Sequence, residues 1–171
     1  MSYTFIAPGR YAQGRNLLQE AGVHIAKVGK KPLLLWDARV KAILGERVLA
    51  SLAAASLEIT DIEFSGDSTK AEAARIAQIA KERGADMIVG IGGGKTLDAA
   101  KAAAAAAGLK MVSCPTVAST DSPTSSFTVW YDEKGVCQGF ESWPTNPNLV
   151  LVDSQVRSEE RRVGKECRSR W

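Results

Sequence analysis

The fold is decided by residues 87–101, which read MIVGIGGGKTLDAAK. An apolar run leads into three consecutive glycines, and a lysine and a helix-forming segment follow. Because glycine has no Cβ, the backbone at this point can approach a ligand closely and adopt positive φ. A helix that begins here directs its free N–H groups and the positive end of its dipole into the loop. The stretch therefore predicts a cradle for phosphate or pyrophosphate, to which Lys95 adds a full positive charge.

The glycine run departs from two standard phosphate-binding motifs. A Walker A loop has glycine at the position of Val89, whereas the first glycine here is Gly90. The dinucleotide fingerprint has its third glycine where Lys95 stands. The alternative is a tight strand-to-helix turn without a ligand, but three glycines and a lysine exceed what such a turn requires. We therefore interpret the run as a phosphate cradle of another type.

Strand and helix patterns alternate along most of the chain, which predicts an α/β fold with a Rossmann-like parallel sheet and helices on both faces. The predicted strands are Thr4–Ala7, Pro32–Trp36, Leu57–Phe64, Asp86–Ile91, Met111–Cys114 and Asn148–Asp153. The predicted helices are Leu17–Val28, Val40–Ala55, Thr69–Arg83 and Lys95–Ala107. A β-hairpin is predicted for Phe127–Tyr131 and Val136–Phe140. We attribute the alanine run Ala102–Ala107 to helix propensity.

Three polar or glycine-rich loops follow strands of the predicted sheet, at Asp37, Gly92–Lys95 and Thr116–Asp121. Ligands of open parallel sheets bind beyond the carboxyl ends of the strands. The strand register would bring these loops to one edge, which predicts a nucleotide site there.

Composition indicates a globular protein of one ordinary domain, with 171 residues of which 45% are hydrophobic. Neither a membrane-spanning stretch nor a secretory signal is recognisable, and the three cysteines have no metal-binding spacing. We therefore expect a cytoplasmic protein without a disulfide framework.

The net positive charge of the chain comes from its C-terminal residues. Six of the 22 basic and three of the 19 acidic residues lie in residues 157–171, and the remaining 16 basic and 16 acidic residues balance in charge. This balance argues against nucleic-acid or membrane partners.

Four motifs together resemble the N-terminal half of glycerol dehydrogenases, in the iron-containing (group III) alcohol dehydrogenase superfamily. They are Ala7–Gly14, Gly92–Asp98, Pro115–Pro123, and Asn146–Asn148 with Val152 and Asp153. The resemblance covers about residues 4–156. The glycine run alone would also fit dehydroquinate synthases and glycerol-1-phosphate dehydrogenases. A stand-alone nucleotide-binding module without catalysis is a further alternative.

The resemblance implies an NAD-dependent polyol dehydrogenase with residues 1–156 as its NAD-binding domain. In this family a helical domain follows and holds zinc or iron through one aspartate and two histidines, so the chain would be truncated before that domain. The chain alone is then expected to bind NAD weakly and to be inactive. A small polyol is the implied substrate, and the full-length protein is expected to be a homo-oligomer. We assign no metal ligand here, since His24 is the single histidine.

Carried over by position, the resemblance implies these cofactor-binding residues: Asp37, Gly92, Gly93, Gly94, Lys95, Thr96, Leu97, Asp98, Thr116, Val117, Ala118, Ser119, Ser125, Phe127 and Tyr131. Asp37 would accept hydrogen bonds from the adenosine ribose, and a carboxylate at a strand end suits a vicinal diol. Asp121 would bind a substrate hydroxyl and is the one residue placed in catalysis, although its loop also suits a turn former. Asp98 could equally be a residue favoured by the helix dipole, and we expect Lys101 to be solvated or packed.

Residues 157–171 differ abruptly in composition from the preceding domain and resemble the translation of a sequencing adapter. We interpret them as a non-native or disordered tail. The competing interpretation is a basic arm for nucleic acid or membrane, which the three interspersed glutamates weaken.

Overall fold

The computed structural model describes residues 6–156, so the predictions made for residues 1–5 and 157–171 lie outside the described residues. A 3-10 helix spans Leu17–Glu20. The α-helices are α1 (Ala21–Ile25), α2 (Ala38–Ala54), α3 (Lys70–Glu82) and α4 (Gly94–Ala107). The strands are β1 (Tyr11–Gly14), β2 (Pro32–Trp36), β3 (Thr60–Glu63), β4 (Met87–Gly92), β5 (Lys110–Pro115), β6 (Phe127–Tyr131), β7 (Cys137–Ser142) and β8 (Leu149–Asp153).

Six strands form one parallel sheet in the order β1-β8-β5-β4-β2-β3. Strands β2, β4 and β8 are buried along their whole length, as expected for a parallel sheet covered on both faces. Strands β6 and β7 form a separate antiparallel pair in which Phe127 lies opposite Ser142. The predicted α/β fold with a β-hairpin is confirmed.

Each face of the sheet carries its own hydrophobic core. On one face α1 and α2 pack against alternate sheet residues, with Trp36 and Val48 fully buried between them. On the other face α3 and α4 cover the sheet, with Ile76 and Leu97 fully buried. The hairpin packs against this second layer through Trp130.

Helix α4 lies unusually close to the sheet. A Cβ added to Gly90 would stand 2.9 Å from the Cβ of Ala100, so neither position accepts a larger side chain without a shift. Ala99, Ala100 and Ala103 are fully buried, while Ala105 and Ala106 are exposed. The alanines of α4 therefore serve close packing on β4, in addition to the helix propensity to which we attributed them.

The first strand lies later in the chain than predicted. Of the predicted strand Thr4–Ala7, the described residues Ile6 and Ala7 are not in a strand, and β1 begins at Tyr11. Strand β1 is a short, half-exposed edge strand held by pairing with β8, where Tyr11 lies opposite Val150. Such an edge depends on contacts with the far end of the chain, which a local pattern does not contain.

The helix predicted for Leu17–Val28 is a 3-10 turn followed by a helix that ends at Ile25. Asp153, at the end of β8, determines where this region begins. Its carboxylate accepts hydrogen bonds from the amides of Asn16 and Leu18, each at 3.0 Å. Among residues 6–156, no helix is both long enough and apolar enough to cross a lipid bilayer.

Candidate functional site

The candidate site lies where β2 and β4 end side by side. The two strands are neighbours, with Trp36 opposite Ile91, but β2 leads into α2 on one face and β4 into α4 on the other. The two helices diverge from this point, which in open α/β sheets opens a crevice beyond the strand ends. Strand β5 ends beside β4, and the Thr116 amide donates to the Gly92 carbonyl at 3.0 Å. The predicted convergence of the three loops at one edge is confirmed.

The N-terminus of α4 carries no cap from its own side chains. Gly93 is the N-cap residue, with φ −83° and ψ −174°, and no side chain among the described residues bonds to the cap. The first turn of α4 contains no acidic residue. Gly92, Gly93 and Gly94 are not among the glycines with positive φ, so their function is close approach rather than unusual backbone conformation.

The space above these glycines has defined walls. A Cβ on Gly93 would lie 3.6 Å from Val117 Cγ2, and one on Gly94 would lie 3.3 Å from Thr120 Oγ1. Side chains at these positions would therefore fill the space over the helix amides. We call Gly92–Thr96, with the flanking Val117 and Thr120, the glycine cradle.

The side chain of Lys95, in the first turn of α4, is 45% exposed. Its ammonium pairs with the carboxylate of Asp67 and lies 4.6 Å from the centroid of the Tyr131 ring. Sequence reasoning gave no role to Asp67, which lies between the predicted strand Leu57–Phe64 and the predicted helix Thr69–Arg83. The cation is thus held between the loop that follows β3 and the hairpin.

Asp37 is both the N-cap of α2 and a carboxylate at the crevice. Its Oδ1 accepts from the Val40 amide at 2.7 Å, and its side chain is half-buried. Within residues 6–156 its Oδ2 has no hydrogen-bond partner. A small apolar recess of about 10 Å³ lies alongside and is lined by Val40, Ile43, Leu44, Thr116 and Val156.

Asp98 and Lys101 form a buried ion pair on α4, with Oδ1 and Nζ 2.9 Å apart. Of the two expected alternatives for Lys101, solvated or packed, the structure shows the packed one, since its side chain is 4% exposed. Burial lowers the pKa of Lys101, against the opposing effect of the carboxylates of Asp98 and Asp121. Sequence reasoning missed this pair because nothing in the helical pattern distinguishes a buried lysine from a surface one.

Five further predicted residues fall into three groups. Asp121 and the neighbouring loop residues Ala118 and Ser119 are exposed beside the glycine cradle. Phe127, 44% exposed, contacts Phe140 edge to face with ring centroids 5.8 Å apart. Leu97 is turned away from the cradle, because its side chain is fully buried against the sheet.

The described residues 6–156 contain no group of three or more His, Cys, Asp or Glu side chains that could hold a metal ion. His24 lies at the opposite, amino edge of the sheet, in a depression that Arg10 and Tyr11 also line. The carboxylate of Asp153 is already used by backbone amides.

Known proteins resemble this chain along most of its length. The sequence profile described as iron-containing alcohol dehydrogenase matches residues 8–154. Glycolaldehyde reductase of Halobacterium salinarum is 42% identical over 156 residues, which cover 91% of this chain and 43% of that protein. Glycerol dehydrogenase of Pseudomonas putida is 37% identical over 150 residues, 88% of this chain and 41% of that protein.

A solved structure agrees with these sequence relatives. The crystal structure of a probable glycerol dehydrogenase from Sinorhizobium meliloti matches with a TM-score of 0.84 and 37% identity, over 91% of this chain and 42% of that one. The chain therefore spans about two-fifths of the length of the relatives it matches.

Proposed function

Because this chain belongs to the iron-containing alcohol dehydrogenase family, we propose that it supplies the NAD-binding half of an NAD-dependent dehydrogenase acting on glycerol or a related small polyol. The named relatives include a glycerol dehydrogenase and a glycolaldehyde reductase. Their names support the substrate class, and the site supports the cofactor.

The observation that carries the proposal is the N-terminus of α4, which has neither a side-chain cap nor an acidic residue of its own within the described chain. Amides at a helix N-terminus, together with the helix dipole, favour a bound anion. The glycines leave room for that anion directly over the amides, and Lys95 supplies a cation at the rim. A diphosphate fits this combination of amides, space and charge.

The neighbouring groups fit the adenosine end of the same ligand. Because Asp37 uses Oδ1 to cap α2, its Oδ2 would accept hydrogen bonds from a ribose diol. The negative charge of Asp37 disfavours a 2′-phosphate, which predicts NAD rather than NADP. Apolar side chains line the recess beside α2, and the edge of a base would contact them from outside, since the recess has room for only about one water molecule. Leu97 has a packing role, and its contribution to binding is limited to shaping the helix.

NAD, when bound, supplies the hydride acceptor for oxidation of an alcohol. The residues of this chain would bind and orient the reactants. The exposed Asp121 carboxylate would accept a hydrogen bond from a substrate hydroxyl. Phe127 and Tyr131 would form the wall of the nicotinamide half. Zinc or iron would belong to the full-length protein.

Calorimetric titration of the 171-residue chain with NAD tests the cofactor assignment. We expect a saturable isotherm, and an affinity about tenfold lower, about 1.4 kcal/mol, for Asp37→Ala and for Lys95→Ala. Lys81→Ala, which removes an exposed lysine near the end of α3, is the matched control and should bind like the wild type. Absence of binding by the wild type, or unchanged affinity in both site variants, would refute the proposal.

Reduction of glycolaldehyde is a second candidate reaction, favoured by the 42% identity to glycolaldehyde reductase. A chimera joined after residue 156 to the C-terminal part of the Pseudomonas putida enzyme would separate the candidates. Oxidation of glycerol with NAD and reduction of glycolaldehyde with NADH would be assayed in the chimera, in its two parent proteins, and in the chimera that carries Asp121→Asn. Turnover of neither substrate by a folded, NAD-binding chimera would favour a nucleotide-binding module without catalysis.

A further inference from the structure

The buried pair Asp98–Lys101 has no part in the mechanism above. It lies on α4, about one turn beyond Lys95, with side chains that are 8% and 4% exposed. Asp98 was predicted to touch the cofactor. Its carboxylate is instead surrounded by protein groups, and the segment to which those groups belong indicates another role.

The pair bonds to the segment that contains the predicted substrate and nicotinamide residues. Asp98 Oδ1 accepts from Ser122 Oγ at 2.5 Å, and Oδ2 accepts from the Val129 amide at 2.9 Å. Lys101 Nζ donates to the Phe127 carbonyl and, at 3.4 Å, to the Ser125 carbonyl. These four hydrogen bonds of the two charged side chains therefore join α4 to residues 122–129, which follow Asp121 and run into β6.

Stability alone does not account for an ion pair at this position. Two buried charges lose hydration, and well-packed apolar residues of similar volume often stabilise a fold equally well. An apolar contact already joins the same two elements nearby, between Ala102 and Trp130. The charged pair adds directional hydrogen bonds, because carboxylate oxygens accept and ammonium N–H groups donate with a preferred geometry.

We propose that Asp98 and Lys101 are positioning residues that fix the 121–131 segment relative to the glycine cradle. They would thereby set the distance between the diphosphate end and the nicotinamide end of the site. This inference rests on the proposed function. Because α4 begins at the cradle, the same rigid helix holds the diphosphate at its N-terminus and the nicotinamide wall one turn later. Asp98 then acts on binding through Ser122 and Val129 and touches no part of the cofactor.

The proposal predicts a selective loss of affinity. ADP-ribose contains the adenosine and diphosphate parts of NAD but not the nicotinamide, so it needs the cradle without the 121–131 segment. Titration of the full chain with NAD and with ADP-ribose should show about tenfold weaker NAD binding in Asp98→Asn and in Lys101→Met. ADP-ribose affinity should stay within about twofold in both variants. Lys110→Met removes another lysine that donates to a backbone carbonyl, and it should change neither affinity.

A milder variant keeps the test decisive if burial of an unpaired charge prevents folding. Ser122→Ala removes one hydrogen bond to Asp98 and leaves both charges paired, and should weaken NAD about threefold with ADP-ribose unchanged. Equal losses for both ligands, or no loss for either, would overturn the positioning role while the proposed function stands. A wild-type chain that binds neither ligand would instead refute the proposed function.

Discussion

The N-termini of α3 and α4 have similar backbone conformations and opposite chemistry. The N-cap Thr69 of α3 has φ −98° and ψ 157°, and the N-cap Gly93 of α4 has φ −83° and ψ −174°. At α3, the hydroxyl of Thr69 accepts from the Glu72 amide at 3.0 Å, and Glu72 places a carboxylate in the first turn. At α4, neither a capping side chain nor an acidic residue stands in those positions of the described chain.

The difference indicates which helix end is built for a ligand. The positive end of a helix is stabilised by an anion, and α3 obtains that anion from its own sequence. Helix α4 obtains none from its own first turn, while its glycines keep the approach to the amides open. Because the backbone conformations are so similar, exchanging side chains between the two ends is a direct test of this conclusion.

The largest effect is expected from giving α4 the kind of cap that α3 has. In Gly93→Asp the new carboxylate would bond to the helix amides and repel a diphosphate, so NAD affinity should fall at least 100-fold, about 2.7 kcal/mol. The backbone accepts a side chain, since its Cβ would lie 3.6 Å from Val117 Cγ2. The free energy of unfolding should rise by about 0.5–1 kcal/mol.

Calorimetry and urea denaturation measure the two effects separately. Gly93→Ser, which adds a neutral cap, is the control and should lose less affinity than Gly93→Asp. If Gly93→Asp bound NAD as tightly as the wild type, the diphosphate would not lie at this helix end.

The second prediction removes the anion from α3. Burial alone would raise the pKa of Glu72, but hydrogen bonds from Arg75 and from the Ser65 amide outweigh it and hold the pKa below 4.5. A lowered pKa means that Glu72 adds stability above pH 4.5, which is lost as pH falls through its folded-state value. Glu72→Gln should lower the free energy of unfolding by about 1.5–2 kcal/mol at pH 7.

Urea denaturation at several pH values measures the dependence on the Glu72 charge. The stabilities of the wild type and Glu72→Gln should converge as the solution is acidified below pH 4.5. NAD affinity at pH 7 should be unchanged in this variant. A constant difference at all pH values would show that the Glu72 charge does not contribute to folding.

The third prediction separates the two roles of Asp37, which caps α2 and faces the crevice. Serine caps helices about as well as aspartate, so Asp37→Ser should keep the free energy of unfolding within about 0.5 kcal/mol. NAD affinity should fall about tenfold, and the preference for NAD over NADP should narrow. Asp37→Ala, by comparison, should lose both affinity and about 1 kcal/mol of stability. Equal NAD binding by Asp37→Ser and the wild type would mean that the carboxylate is only a cap.

The smallest effect concerns the rim of the glycine cradle. Asp67 pairs with Lys95 and would therefore compete with the proposed diphosphate for the lysine's charge. Asp67→Asn should therefore tighten NAD binding about threefold at low salt, and less at high salt, because exposed ion pairs are screened. Glu133→Gln, an exposed carboxylate in the hairpin turn, should have no effect. Weaker binding in Asp67→Asn would mean that Asp67 positions Lys95 for the ligand.

Features that depend on neighbouring residues could be predicted from the sequence. The buried strand predicted for Asp86–Ile91 is found at Met87–Gly92. The helix start near Thr69 and the helix ends before Gly84 and Gly108 are also local features, and the structure confirms them. The meeting of the loops at one sheet edge followed from the alternation of strands and helices. The match to the iron-containing alcohol dehydrogenase family over residues 8–154 confirms the resemblance drawn from the motifs.

Features that depend on distant partners could not be predicted. Lysine is usually solvated, so only the approach of residues 122–129, more than 20 positions along the chain, shows that Lys101 is buried. The threonine and glutamate at Thr69 and Glu72 fit a capping box, yet Glu72 bonds to the Ser65 amide instead of the cap residue. Edge strand β1 depends on β8, which is about 140 residues away.

The strand order has a consequence for biosynthesis. Among the strands of residues 6–156, β8 is made last but lies between β5 and β1, so β1 has no neighbour in the described sheet until translation has passed residue 153. On the ribosome, the nascent chain can assemble β3-β2-β4-β5 early, and the glycine cradle forms together with these four strands. Strand β1 must wait until it can pair with β8, which is the pairing with the longest sequence separation in the described sheet. Contacts between such distant parts of a chain form slowly. Pulse proteolysis of stalled chains should find Tyr11–Gly14 the last strand to gain protection.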